Sequence, residues 1–329
     1  MPAAGDARTV LSLLRKGIDV RAIGAHVRKP FRFLLCGDPA LIAELRALLL
    51  RGHEDDTIPI EAAACLETIR PDSPLVTNPK EVRAIIFLGR RGDVAHEQLE
   101  PLRIMRVPIF ALTVEPDAAP SGPSAPPPPG DWAEYVVPAI AREHLRGRFF
   151  PHLVDCSKGV EIAVGRNLPM LRDTVAAKLT RDAANNALKV ALASAVVDHI
   201  PLAGVVLGVF ASAGDMVAIT GIQVMLMLHI EAAYGRDPDM QRAWQLLPVI
   251  GGGFGWRTLA RELVGFVPVA GIAIKGAIAY AGTIVIGEGV TFFHEHGHTM
   301  TKSQTSALYE SAKQDALRFV RSIIAKIRK

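Results

Sequence analysis

The chain has 329 residues, of which 50% are hydrophobic, only 6% aromatic and 21% charged, with a net charge of +4. That length exceeds what a single core usually organises, so two domains are expected, and so modest a charge gives no argument for a nucleic-acid partner. Cys36, Cys65 and Cys156 are widely spaced and form no CxxC, which argues against both a disulfide framework and a cysteine-held zinc site.

A mean hydropathy of +0.25 is high for this charge content and suggests a polar part joined to an unusually apolar one. Unpaired thiols suit a reducing cytosol. The first fifteen residues lack a basic start followed by an unbroken apolar core, so no secretory signal is expected and the amino terminus is expected in the cytoplasm.

Residues 1–30 carry Val10, Leu11, Leu13, Leu14, Ile18, Ile23 and Val27 at roughly helical spacing. This predicts one or two amphipathic helices that dock on the following domain, or else anchor at a membrane surface. Residues 31–156 alternate short apolar runs with helical stretches. Phe31 to Cys36 reads as a buried strand, Gly37-Asp38-Pro39 as a turn, and residues 40–50 as a helix. Further runs at Ile58 to Ile60, Ala84 to Leu88, Val107 to Val114 and Tyr135 to Val137 extend the pattern, with a helix near residues 95–102. The alternation predicts a small α/β domain with a mainly parallel sheet.

A phosphate loop would need a second glycine, then lysine and a hydroxyl residue, after the first strand. Gly37 is instead followed by Asp-Pro-Ala-Leu-Ile-Ala-Glu44, where Asp38 and Glu44 repel a triphosphate. After Val107 to Val114, where a guanine-reading Asn-Lys-x-Asp would stand, the chain has Thr113-Val-Glu-Pro116. Nucleotide hydrolysis is therefore not expected. Residues 115–131 form a proline-rich segment, read as a solvated loop inside the domain, with a ligand for a proline-recognising module as the sharper alternative.

Residues 157–302 change character to long apolar helices, starting with Val160 to Asn167 and continuing from Pro169 to Asn186. Pro201-Leu-Ala-Gly204 returns as Pro268-Val-Ala-Gly271, and each copy leads into a Gly/Ala-rich run. Residues 201–230 and 264–293 each read as one helix, expected to pack on each other through small residues, in lipid or in a tight bundle. Asp215 and Lys275 are a candidate charge pair across them, because a charge within a spanning helix faces a partner rather than lipid.

The stretch from Asp215 through Thr220, Gln223 and Met225 to Tyr234-Gly235 resembles the central motif of the YcjF-like domain of unknown function. Pro268, Thr283 and Gly287 are similar to the later elements of that family. The resemblance covers residues 168–293 and implies a helical, membrane-associated domain of bacterial inner-membrane proteins, also found at the carboxyl end of some bacterial GTPases. It brings no catalytic residues with it. It also casts the preceding α/β domain as a degenerate GTPase-like domain.

His294-Glu-His-Gly-His298 offers a sharper chemistry. Two histidines one helical turn apart share a face and can bind zinc while the glutamate activates a water, as in zinc peptidases. In that alternative His294 and His298 are ligands, Glu310 a third ligand, and Glu295 the base. The other reading is a polar helix end. Residues 303–329 then form a basic amphipathic helix, suited to anionic lipid or to packing on the domain with its basic face in water.

These readings predict an α/β domain followed by an all-α, Gly/Ala-rich domain with an internal repeat. The expected role is non-catalytic binding or scaffolding at the cytoplasmic membrane, through lipid, a protein partner and self-association, with no cofactor and no nucleic acid. The alternatives are a membrane-linked zinc peptidase and a soluble, cytoplasmic helical interaction module.

Overall fold

The structure is a computed structural model that describes residues 20–53, 57–70, 72, 78–92, 96–197, 207–241 and 271–327. The chain divides into two compact units, one comprising residues 24–178 with 232–236 and the other residues 179–231 and 237–329 with the first 23. The first unit runs past the expected 156 and takes in the helix Glu161–Asn167, whose Ile162, Ala163 and Val164 are buried.

The sheet unit follows the helix α1 (Val20–Val27) and runs β1 (Arg32–Gly37), α2 (Pro39–Leu50), α3 (Ile60–Ala64), β2 (Leu66–Thr68), β3 (Val82–Arg90), α4 (His96–Leu99), β4 (Ile109–Val114) and β5 (Trp132–Val137). It closes with α5 (Arg142–Leu145), α6 (Phe149–Asp155) and α7 (Glu161–Asn167). All five strands are parallel, in the order β2-β1-β3-β4-β5. The apolar runs at Ala84, Val107 and Tyr135 are strands as expected. Ile58 to Ile60 is not one: Ile58 is 47% exposed and Ile60 84%, and the strand comes after them at Leu66. Pro59 cannot donate to a ladder, and Ile60 instead opens α3.

Every residue of β4 is buried, as an interior strand covered on both faces requires. Phe110 stacks on Tyr135 at 5.4 Å, and Phe149 of α6 meets both rings edge-on, at 5.6 and 5.5 Å. Full burial of side chains of this size contributes about 1.5–3 kcal/mol each, which is why α6 belongs to this unit. The Tyr135 hydroxyl and His152 Nδ1 share a hydrogen bond at 2.8 Å. Burial, the largest effect, pushes the tyrosine up and the histidine down from their ordinary values, so the pair is neutral near pH 7.

The proline-rich segment is tied down rather than loose. Ser121 pairs antiparallel with Val136 of β5, Arg148 donates to the Gly122 and Pro123 carbonyls, and Pro127 is buried.

The helical unit is built from most of α8 (Arg172–Val197), α9 (Leu207–Ala233), α10 (Gly271–His296) and α11 (Lys302–Ile327). Helices α9 and α10 correspond to the two repeat runs, while Pro201, Gly204 and Pro268 lie outside the described residues. Gly271 opens α10 and Asp215 lies within α9, but the Asp215 side chain also lies outside the description, as does its pairing with Lys275.

Small residues of α10 meet both neighbours: Ala279 clusters with Ala187 and Ala191 of α8 and with Ile219 and Ile222 of α9. A Cβ on Gly276 would come within 2.7 Å of Leu188, and one on Gly287 within 2.1 Å of Thr180, both on α8. Glycine therefore brings α8 against α10. Helices α9 and α10 also share a polar bond, Gln223 Nε2 donating to Thr283 Oγ1 at 3.3 Å, while Thr283 Oγ1 donates to the Ala279 carbonyl of its own helix at 2.8 Å. On its other side α10 packs Ala281 and Val285 against Tyr309 and Ala312 of α11.

Candidate functional site

In a doubly wound sheet the ligand crevice lies where the strand order reverses, outside the carboxyl ends of the strands. Here that point falls between β1 and β3, and a crevice of 580 Å³ stands there, lined among others by Gly37, Asp38, Asp72, Gly89 and Gln98. Gly37 takes φ +106° as it leaves β1, and the next amide, Asp38 N–H, donates to the Leu88 carbonyl at 2.8 Å. A side chain on Gly37 would place its Cβ 2.0 Å from that same carbonyl oxygen. Only glycine lets the chain turn this close to β3.

The start of α2 is where a phosphate would sit, facing the unpaired amides of a first helical turn. The chain's own carboxylate is there instead. Asp38 Oδ1 accepts from Ala40 N at 2.7 Å and from Leu41 N at 3.2 Å, and Pro39 brings no amide hydrogen at all. These amide bonds, from Leu41 and then Ala40, hold Asp38 below the usual carboxylate range, with the Arg90 guanidinium 3.5 Å away adding to the effect. The position for an anion is thus taken by a fixed negative charge. Sequence reasoning assigned Asp38 only a repulsive role. The Asp-Pro pair ahead of an apolar helix was the available signal for a capping one.

Burial pushes Cys36 and Cys65 to about 12 and Cys156 to about 11, so these free thiols stay protonated and unreactive near neutral pH.

The His-Glu-x-x-His sequence does not form the face expected of it. Helix α10 ends at His296, and Gly297 reverses the backbone at φ +73° while its N–H donates to the Phe293 carbonyl at 2.9 Å. His298 is therefore beyond the helix and does not share a face with His294. The His294 Nε2 is 3.1 Å from Glu231 Oε1, with both side chains buried, at 10% and 4% exposure. His296 stacks on Phe292 at 4.1 Å, and His298 Nδ1 lies 3.2 Å from the Thr299 carbonyl. Glu295 is exposed, and Glu310 stands on α11 3.9 Å from Lys313. Among the described residues no three metal-ligating side chains come together. Nothing in the spacing pointed to Glu231, 63 residues before its partner.

The remaining motif residues have structural positions. Thr220, Gln223 and Thr283 are buried, Met225 is partly so, and Gly287 carries the close approach to Thr180. Tyr234 lies under the Arg172 guanidinium, 5.9 Å from ring centroid to carbon, and Gly235 ends α9 at φ +90°. Among the described residues, one helix, Ile274–His296, is long and apolar enough to cross a membrane, with a mean hydropathy of 1.4 over 23 residues and 67% of its most apolar stretch buried within the protein. No protein-family model matches the chain, and no curated protein or solved structure matches it either.

Proposed function

We propose that this protein is a non-catalytic, membrane-associated binding or scaffold protein whose α/β domain is a degenerate GTPase-like domain and whose helical domain is YcjF-like. The observation that carries the non-catalytic part is Asp38. A carboxylate bonded to the first amides of α2 leaves the crevice without the donors that hold a phosphate, and the turn has no lysine to replace them. The membrane part is supported by the apolar stretch Ile274–His296 and by the motif running from Asp215 to Gly235.

Two measurements test it. Flotation of the full chain with liposomes, followed by an alkaline wash, should leave the protein with the lipid; complete recovery in the soluble fraction with no liposome binding overturns the membrane part. Titration with magnesium and GTP should show no tight binding, and tight, magnesium-dependent binding overturns the degenerate-domain part.

A second reading, a soluble helical interaction module, draws on the 67% burial of the most apolar stretch of α10, since a core helix has that composition too. The flotation result separates the two.

A further inference from the structure

The turn that ends α10 brings together two imidazoles that helical spacing would keep apart. Gly297, exposed and at φ +73°, reverses the chain over the end of the helix, with nothing within 4 Å of where a Cβ would stand. His298 thereby returns to Phe292, ring edge to ring face at 5.3 Å between centroids, while His296 stacks flat on the same phenylalanine at 4.1 Å. The two histidine rings are 6.0 Å apart, and both residues are exposed to solvent.

Each ring has one nitrogen engaged and the other open. His296 Nδ1 lies 3.1 Å from the Phe292 carbonyl and His298 Nδ1 lies 3.2 Å from the Thr299 carbonyl. A carbonyl oxygen only accepts, so Nδ1 carries the hydrogen in both, and the neutral ring keeps its lone pair on Nε2. Donation of one ring N–H to a backbone carbonyl is the arrangement that orients metal-ligating histidines and makes the other nitrogen a better ligand. Two nitrogen–metal bonds of about 2.0 Å each, with half a ring at either end, span about 6 Å, so one ion reaches both rings at this separation.

We propose that His296 and His298 bind a divalent transition-metal ion, copper(II) by preference, at the surface of the turn between α10 and α11. Imidazole suits copper, nickel and zinc, and among these copper(II) forms the tightest complexes with a given nitrogen site. Magnesium and calcium prefer oxygen ligands and are not taken. His294 is no part of the site, because its Nε2 is turned to Glu231. With two protein ligands the remaining positions go to water, which makes this an open site and not the closed, four-ligand kind that holds a fold together. The two histidines also stay close when the chain unfolds, so the ion adds little to stability and the readout is binding, not melting.

Titration of the full chain with copper(II) chloride against a competing indicator should show one tightly bound ion per chain. The electron paramagnetic resonance spectrum of the loaded protein should carry nitrogen splittings from two imidazoles. His296→Ala and His298→Ala should each weaken binding about 100-fold, because either one removes the chelate, and the double variant should be little worse than the single ones. His26→Ala, at an exposed histidine of α1, should leave the affinity unchanged. Magnesium chloride in excess should not displace the copper.

The proposal is overturned if no ion binds tightly, or if only one of the two histidine variants loses affinity, since the ion would then use a different set of ligands. Copper binding equal in the double variant and the unaltered chain overturns it as well. It stands or falls separately from the membrane and degenerate-domain readings, neither of which supplies a ligand to the ion.

Discussion

Replacing Gly37 by alanine perturbs the turn from β1 into the switch-point crevice in two separable ways. The first is conformational: φ +106° lies where residues with a side chain are strained, at a cost of about 1–3 kcal/mol. The second is steric. The new Cβ would stand 2.0 Å from the Leu88 oxygen and 2.9 Å from its carbonyl carbon, and both are backbone atoms that cannot rotate away. Relief requires β1 to shift against β3, which weakens the Asp38 N–H bond to the same oxygen, so overpacking adds about 1–3 kcal/mol. Gly92→Ala supplies the control. Its φ is +88° with nothing within 4 Å of a Cβ, so it carries the strain without the clash. Urea unfolding followed by hydrogen exchange in peptides covering β1 and β3 should show Gly37→Ala less stable than Gly92→Ala by about 1–3 kcal/mol, a large part of the roughly 5–15 kcal/mol that holds a domain together. Equal losses in the two variants would refute the assignment of the turn to a backbone contact.

Gly287→Ala drives a Cβ into three atoms of Thr180 and should cost about 1–3 kcal/mol; adding Thr180→Ala should recover part of it, with a coupling above about 0.5 kcal/mol in a double-mutant cycle. Alone, Thr180→Ala removes a buried hydroxyl that has no hydrogen-bond partner, so thermal melting should change little. Burial lowers His152 and His53 below 6.5, so the unfolded chain takes up these protons first. Stability should thus fall as pH drops below about 6.5, and His53→Gln with His152→Gln should flatten that dependence in melts run across the range. His294→Leu removes a hydrogen-bond partner of the buried Glu231 carboxylate and should cost about 1–3 kcal/mol by denaturant titration, while zinc added to the unaltered protein should leave its melting point in place.

The interior strands were legible because they carry their own burial as unbroken apolar runs, as in Ile109 to Val114. Strand β2 was not, since three residues with alternating exposure give no pattern, and the nearby apolar residues Ile58 and Ile60 drew attention to the wrong place. Missing phosphate-loop residues could be read from the chain. What replaced them could not, because a cap is a matter of one side chain's direction. His294 shows the limit of spacing: four residues place two side chains on one face only while the helix lasts, and Gly297 ends it first.

Strand β5 is the last in its sheet, and an edge strand exposes a row of backbone groups to which any other strand can add. The Ser121 to Val136 pairing lays the proline-rich segment along part of that row. Prolines have no amide to offer an incoming strand, so this segment can cover the edge without presenting a full ladder of its own. A chain shortened between Asp117 and Asp131 would keep its core and lose its guard against edge-to-edge aggregation. The segment's composition then concerns solubility at high concentration as much as the shape of any one molecule.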